Sequence, residues 1–193
     1  MKSSRKVFFL IVIFAMFSVF VGCSKDKYDS GLKENLQDKQ TAIKTKYCLV
    51  TKDLELIEYL PEDSPIINEI IDRLFEYNNL KVNIDYRNYE GNEWYNLYHS
   101  ERLKEAIENV EDRLLRAEIR RNKFISKFLD IDVKRVAILD TETVAIVDAD
   151  IRYLLENSVE EYMERIDAKK GDELVTPLRY VLRKEKGEWK IYL

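Results

Sequence analysis

The hydrophobic period of this chain changes once, near Asp130, and that change limits the fold more than any other feature. Before it, apolar residues recur at helical spacing. Ile66, Ile67, Ile70, Ile71, Leu74 and Phe75 share one broad face. Ser64-Pro65 ahead of them supplies a capping residue and a proline at the first helical position, and Asn78-Asn79 reads as the stop. From Ser100, an N-cap residue, Leu103, Ile107, Val110, Leu114 and Ala117 recur every three or four positions, and Phe124, Ile125 and Phe128 resume the stripe. With no Gly or Pro in it, Glu101 to Leu129 reads as one long helix. Its length would be about 45 Å at 1.5 Å per residue, so a bend or break is expected near Arg120 to Asn122. After Asp130 the period is two. Val133 to Leu139, Thr143 to Leu155, Val175 to Lys184 and Glu188 to Leu193 are rich in Val, Ile, Tyr and Thr and read as strands. Asp140 to Glu142 and Lys186-Gly187 make tight connections, and Glu156 to Glu173 reads as charged and turn-like. In the second strand Val147, Ala149, Ile151, Tyr153 and Leu155 share one side, while Asp148, Asp150 and Arg152 share the other. The helices have to cover the apolar side. The fold class is therefore α+β, with N-terminal helices packed on an antiparallel sheet.

The first residues follow a different logic. Lys2, Arg5 and Lys6 precede an almost unbroken apolar run, Val7 to Val21, and Gly22 and Cys23 follow at once. A basic start, an apolar centre and a small residue before the cut form a secretory signal. The run is 15 residues long, short of the ~20 needed to span a bilayer as a helix. Phe20, Val21, Gly22 and Cys23 resemble the lipobox of bacterial lipoproteins, with Phe20 where Leu is usual and Val21 where Ala or Ser is usual. The resemblance implies that a diacylglycerol is joined to the Cys23 sulfur and that cleavage precedes it, with acyl chains of the palmitate kind. Residues 1–22 would be the signal peptide and Cys23 the lipidated first residue, on the bacterial cell membrane or outer surface. An uncleaved transmembrane anchor is the alternative. Residues 23–45 are polar and carry few large apolar side chains, which marks a tether with some helical character over Leu32 to Ile43. The folded domain is expected over 46–193, with Tyr47 to Val50 as a short strand.

Charge narrows the partners. Removing residues 1–22 takes away three basic side chains and leaves 29 basic against 36 acidic, a net charge of −7. That argues against nucleic acid, whose affinity rests on Lys and Arg against phosphates. Cys48 is the only other cysteine, so a lipidated Cys23 leaves it no partner and no disulfide framework is expected. Cys48 between Tyr47 and Leu49 reads as a small buried hydrophobe.

Lys81 to His99 concentrates aromatics: Tyr86, Tyr89, Trp94, Tyr95 and Tyr98 around a turn at Gly91-Asn92. Trp94, Tyr95 and Tyr98 are candidate ligand-binding residues, against the alternative that they cap a core with their polar tips in water. His99 is the only histidine and no metal-ligand spacing accompanies it, so neither metal nor cofactor is expected. It reads as a surface or capping residue. Asp148 and Asp150 are the candidate acid–base pair, because i and i+2 on a strand share a face. The competing reading pairs them with Arg152, Arg179 and Arg183 as cross-strand ion pairs.

Helices followed by an antiparallel sheet that ends in VTPLRYVLRKEKGEWKIYL, Val175 to Leu193, resemble the nuclear transport factor 2-like (cystatin-like) superfamily. The resemblance implies a curved sheet wrapped into a cone around the helices, with a cavity at its open end. Some members of that superfamily are isomerases, cyclases or dehydratases, and others only bind partners. The expected function is a membrane-anchored envelope lipoprotein that binds a small ligand or an envelope protein without catalysis. The alternative is an isomerase- or cyclase-like enzyme using Asp148 and Asp150 in the cone. A homodimer through the Asp/Arg face is a third expectation.

Overall fold

The computed structural model describes residues 46–193. The signal segment, Cys23 and the polar tether lie outside the described residues. The chain opens with two short strands, β1 (Tyr47–Val50) and β2 (Leu56–Tyr59). Helix α1 (Pro65–Val82) follows, then β3 (Ile84–Asp85), a 3-10 turn at Tyr95–Leu97, α2 (Ser100–Glu108) and α3 (Glu111–Asn122). The remainder is β4 (Ile125–Leu139), β5 (Val144–Asn157), α4 (Glu160–Arg165), β6 (Glu173–Glu185) and β7 (Glu188–Ile191). The architecture is α+β: four α-helices among the described residues and one open seven-stranded sheet in the order β2-β1-β4-β5-β6-β7, with β3 beside β4.

The meander from β4 to β7 is antiparallel throughout, as its turns require. The sheet as a whole is mixed, because β1 runs parallel to β4, Tyr47 beside Val136 and Val50 beside Leu139. Three register shifts interrupt the β4–β5 ladder, at Ile125/Ser126, Phe128/Asp130 and Val133/Arg135. Each such irregularity adds local twist and bend to its strand.

Helix α1 starts where Ser64-Pro65 directs it. The Ser64 carbonyl accepts from Ile67 N and Asn68 N at 3.0 and 3.1 Å, while the Ser64 side chain makes no cap bond. The helix runs past Asn78-Asn79 to Val82. Asn78 does not stop it, because the Asn78 side chain is itself satisfied: Nδ2 donates to the Leu74 carbonyl at 2.8 Å. Ile67, Ile70 and Leu74 are fully buried against β4, β5 and β7.

The helix expected over Glu101 to Leu129, with a bend or break near Arg120 to Asn122, is two helices and the start of a strand, and the second helix ends at Asn122. Val110 takes a left-handed conformation, φ 50°, and separates α2 from α3. Lys123, also at φ 50°, ends α3: Lys123 N donates to the Arg120 carbonyl and Phe124 N to the Ile119 carbonyl, a Schellman-type ending. Phe124 therefore precedes a strand, and Ile125 and Phe128 belong to β4. The apolar spacing fits both periods there, and burial of Phe128 against the sheet core decides it. The Glu156 to Glu173 stretch holds one short helix, α4, so it is not purely turn-like.

Candidate functional site

Adjacent side chains of β5 and β6 go to opposite faces, and the two faces carry different chemistry. On one face Val147, Ala149 and Ile151 are buried in the core. Asp148 and Asp150, between them, face away from it. Asp148 accepts from Arg179 Nε at 2.6 Å and from Arg135 Nε at 3.1 Å, its neighbours on β6 and β4. Burial alone would raise the Asp148 carboxyl, but the Arg179 hydrogen bond and the Arg135 and Arg179 charges outweigh it and hold the carboxyl below the usual range. Asp150 lies 3.1 Å from Lys134 Nζ, which also pairs with Asp132. Arg152 is engaged by Glu173 across the strands, and Arg183 by Glu101 at 3.0 Å. The two carboxylates are thus held in separate cross-strand ion pairs rather than sharing a proton.

The aromatic stretch is organised by contacts that span the sequence. Gly91, at φ 84°, brings the loop against α3: a Cβ there would sit 2.7 Å from the Asp112 carbonyl. Tyr95 Oη accepts from Asp112 N at 3.1 Å, and Tyr86 N donates to the Phe124 carbonyl. Trp94 and Tyr98 are buried, and Trp94 Nε1 donates to Tyr98 Oη at 2.9 Å. Tyr95 stacks on Tyr98 with ring centroids 5.6 Å apart. Tyr77 of α1 enters between them, 6.4 Å from Trp94 and 6.0 Å from Tyr98, and its hydroxyl is hydrogen-bonded to that of Tyr98.

Polar groups converge on this cluster that no local pattern in the sequence marks. Lys81 Nζ donates to Tyr77 Oη at 2.6 Å. Tyr180 Oη, from β6, donates to Asn78 Oδ1 at 2.8 Å across 102 residues. Arg102 lies over the Tyr98 ring at 4.8 Å and is held by both Glu111 oxygens, at 2.6 and 3.0 Å. Tyr89 Oη is buried and makes no hydrogen bond among the described residues. Burial pushes the phenols up, Tyr77 and Tyr95 to about 12, and Tyr89, Tyr98 and Tyr180 further still. Trp94, Tyr95 and Tyr98 are therefore brought together, with a set of partners supplied by α1, α2, α3 and β6. The aromatic density of the loop and the i, i+4 spacing of Tyr77 and Lys81 are the local signals that foreshadow this.

His99 caps α2, its Nδ1 accepting from Glu101 N at 3.3 Å. Cys48 is buried beside Val50 and Ala137, and burial pushes its thiol up. A cleft of about 350 Å³ lies between α1 and the β6–β7 turn, with Glu69, Asp72, Glu76 and Glu188 around Arg73. Among the described residues no cluster of three His, Cys, Asp or Glu side chains is arranged to hold a metal ion, and no helix is long and apolar enough to cross a membrane.

No protein-family model and no curated protein matches the chain. Solved structures do. The intermembrane space region of the chloroplast protein ARC6 is similar at 18% identity and a TM-score of 0.42, covering 69% of this chain and 95% of that one. A SEC-C motif containing protein from Rhodopseudomonas palustris is similar at 17% identity and a TM-score of 0.35, covering 56% and 66%. A protein described as a calcium/calmodulin dependent protein kinase II association domain, from Xanthomonas campestris, is similar at 18% identity and a TM-score of 0.36, covering 69% and 87%.

Proposed function

We propose that this is an exported lipoprotein, anchored through an acylated Cys23, whose 46–193 domain binds a small ligand or an envelope protein rather than catalysing a reaction. The observation that carries the reading is the Gly22-Cys23 pair at the end of a basic, then apolar, leader. One acyl chain holds a protein only marginally, and two signals anchor it stably; a thioether-linked diacylglycerol provides two chains on one residue. Residues 23–45 act as the tether. The domain is a nuclear transport factor 2-like cone in this reading, supported by α1 lying on one face of the sheet and by the register shifts that bend β4.

The isomerase- or cyclase-like alternative draws no support from Asp148 and Asp150. Their neighbours in β5 are the buried residues, and each carboxylate is engaged by a cation on the solvent side of the sheet. Trp94 and Tyr98 are buried in the core, so of the three aromatic candidates Tyr95 alone is partly exposed to a ligand.

The test is intact mass and detergent-phase partition of the exported protein beside its Cys23→Ala variant. The expected result is a wild-type chain that begins at Cys23, carries a lipid mass and enters the detergent phase, while the variant does neither. A full-length wild type that partitions identically to the variant would replace the lipoprotein by a helical anchor.

A further inference from the structure

The end of the sheet that carries β2 differs from the rest of the surface in three ways. β2 is the last strand in the sheet order and has a neighbouring strand, β1, on one side only among the described residues. Its apolar side chains are turned outward: Leu54, Leu56 and Ile57 are 56, 47 and 48% exposed, and Tyr59 is exposed as well. Acids crowd it. Asp53, Glu55, Glu58, Glu62 and Asp63 are all exposed, Lys52 is the one cation between Thr51 and Ser64, and none of these carboxylates makes an ion pair among the described residues. By contrast Asp132, Asp148, Asp150 and Glu173, on the open face of the sheet, each have a cation. The hairpin is also held in place. Thr51 N donates to the Glu55 carbonyl and Leu54 N to that of Thr51, both at 2.9 Å, while Thr51 Oγ1 accepts from Glu55 N at 3.2 Å. Leu54 closes this turn at φ 63°, a left-handed position that Gly normally takes.

We propose that β2 is a docking edge for an extended basic segment of an envelope protein, one in which apolar residues alternate with Lys or Arg, added to the sheet as a further strand. An edge strand presents a row of backbone donors and acceptors to an extended chain, and the side chains alternating to either face select which chain fits. The register sorts the two faces. Tyr59 lies beside Cys48 and Leu56 beside Val50, on the side away from the main core, while Glu58 lies beside Leu49 on the other. A docked segment therefore sets apolar residues next to Leu56 and a Lys or Arg next to Glu58, with further cations toward Asp53 and Glu55 at one end or Glu62 and Asp63 at the other. The same charges disfavour two other occupants. A second copy would bring acids against acids, and an anionic lipid surface would meet the same repulsion. The proposal rests on the reading of this domain as one that binds an envelope protein, but not on Cys23. The lipid mass of the exported chain is read without reference to β2, so either can fail alone.

The experiment titrates the full exported chain, in detergent, with a short labelled peptide of alternating Val and Lys, followed by fluorescence anisotropy and by amide hydrogen exchange. The comparators are the same peptide with Glu in place of Lys and the Val/Lys peptide N-methylated throughout. The expected result is saturable binding of the Val/Lys peptide, further slowing of exchange centred on Leu56–Tyr59, and about tenfold weaker binding of either comparator. A chain carrying Glu55→Lys and Glu58→Lys, with unchanged circular dichroism, is expected to reverse the preference and take the Glu peptide instead. A wild-type chain that binds both charged peptides alike, or neither, overturns the proposal whether or not the variant folds. So does slowed exchange away from β2. Self-association that displaces the peptide as the chain concentration rises assigns the edge to a second copy and overturns it. Exchange that quickens within residues 24–45 as the peptide binds assigns the edge to the tether and overturns it too.

Discussion

Arg179 and Tyr180 are neighbours in β6, and each belongs to a different network. Arg179 points outward and binds Asp148 at 2.6 Å; Tyr180 points inward and binds Asn78 at 2.8 Å. The bonds are nearly equal in length, but their surroundings are not. The Arg179 side chain is 64% exposed, whereas Tyr180 is 4% exposed. An exposed ion pair exchanges one set of water contacts for another and is screened by salt. A buried hydroxyl has no water to return to, so breaking its bond leaves an unsatisfied group. The outer network therefore adjusts the surface, and the inner one fixes how α1, the aromatic loop, α2 and β6 sit together. The same contrast separates the charges: Asp148 is held by two cations, while Lys81 is partly buried and makes no ion pair among the described residues.

The contrast is broken most directly by removing the centre of the inner network. Trp94→Ala deletes a side chain that is 2% exposed and touches Tyr77, Tyr89, Tyr95 and Tyr98. It is expected to cost about 3–5 kcal/mol in a denaturant titration. A loss comparable to a surface substitution would mean that the cluster is not a packed unit.

Asp148→Asn probes the outer network and is expected to cost ~1 kcal/mol or less at neutral pH, reduced further by added salt. Its pH dependence has a definite sign. The Asp148 carboxyl is held low by Arg179 and Arg135, against burial. Its contribution is thus present above the unfolded carboxyl range, near 3.9, and is lost as the pH falls through the lower folded value. The wild-type advantage over Asp148→Asn should disappear in acid. An advantage that persists there would assign the effect to packing instead of charge.

How far these networks were legible in the sequence follows from the distance between their members. The alternation of Val147, Ala149 and Ile151 with Asp148, Asp150 and Arg152 is local, and it identifies both faces of β5 without a structure. The break at Val110 was not legible, because Val110 takes a left-handed conformation that Gly or Asn would normally announce; the end at Lys123 lies where length alone called for a break, near Arg120 to Asn122, but nothing local marked it. Without that signal the stripe runs on through Phe128. Trp94, Tyr95 and Tyr98 could be picked out by density alone. Their polar partners could not, since Asn78 and Tyr180 are 102 residues apart and the Arg102–Glu111 pair forms only once α2 and α3 fold back on each other. The parallel pairing of β1 with β4 is non-local in the same way: Tyr47 and Val136 carry no shared pattern.

The most direct measurement of the division between a dry inner network and a wet outer face is a spectrophotometric tyrosine titration, run alongside near-ultraviolet circular dichroism. The phenols of Tyr77, Tyr98 and Tyr180 are raised by burial, so their stabilising contribution is complete below the unfolded phenol value, about 10, and is lost as the pH climbs through the folded values. The expected result is a delayed ionisation step that coincides with loss of the aromatic dichroism. Ionisation of every tyrosine in a single step near pH ~10, with the dichroism intact, would contradict it.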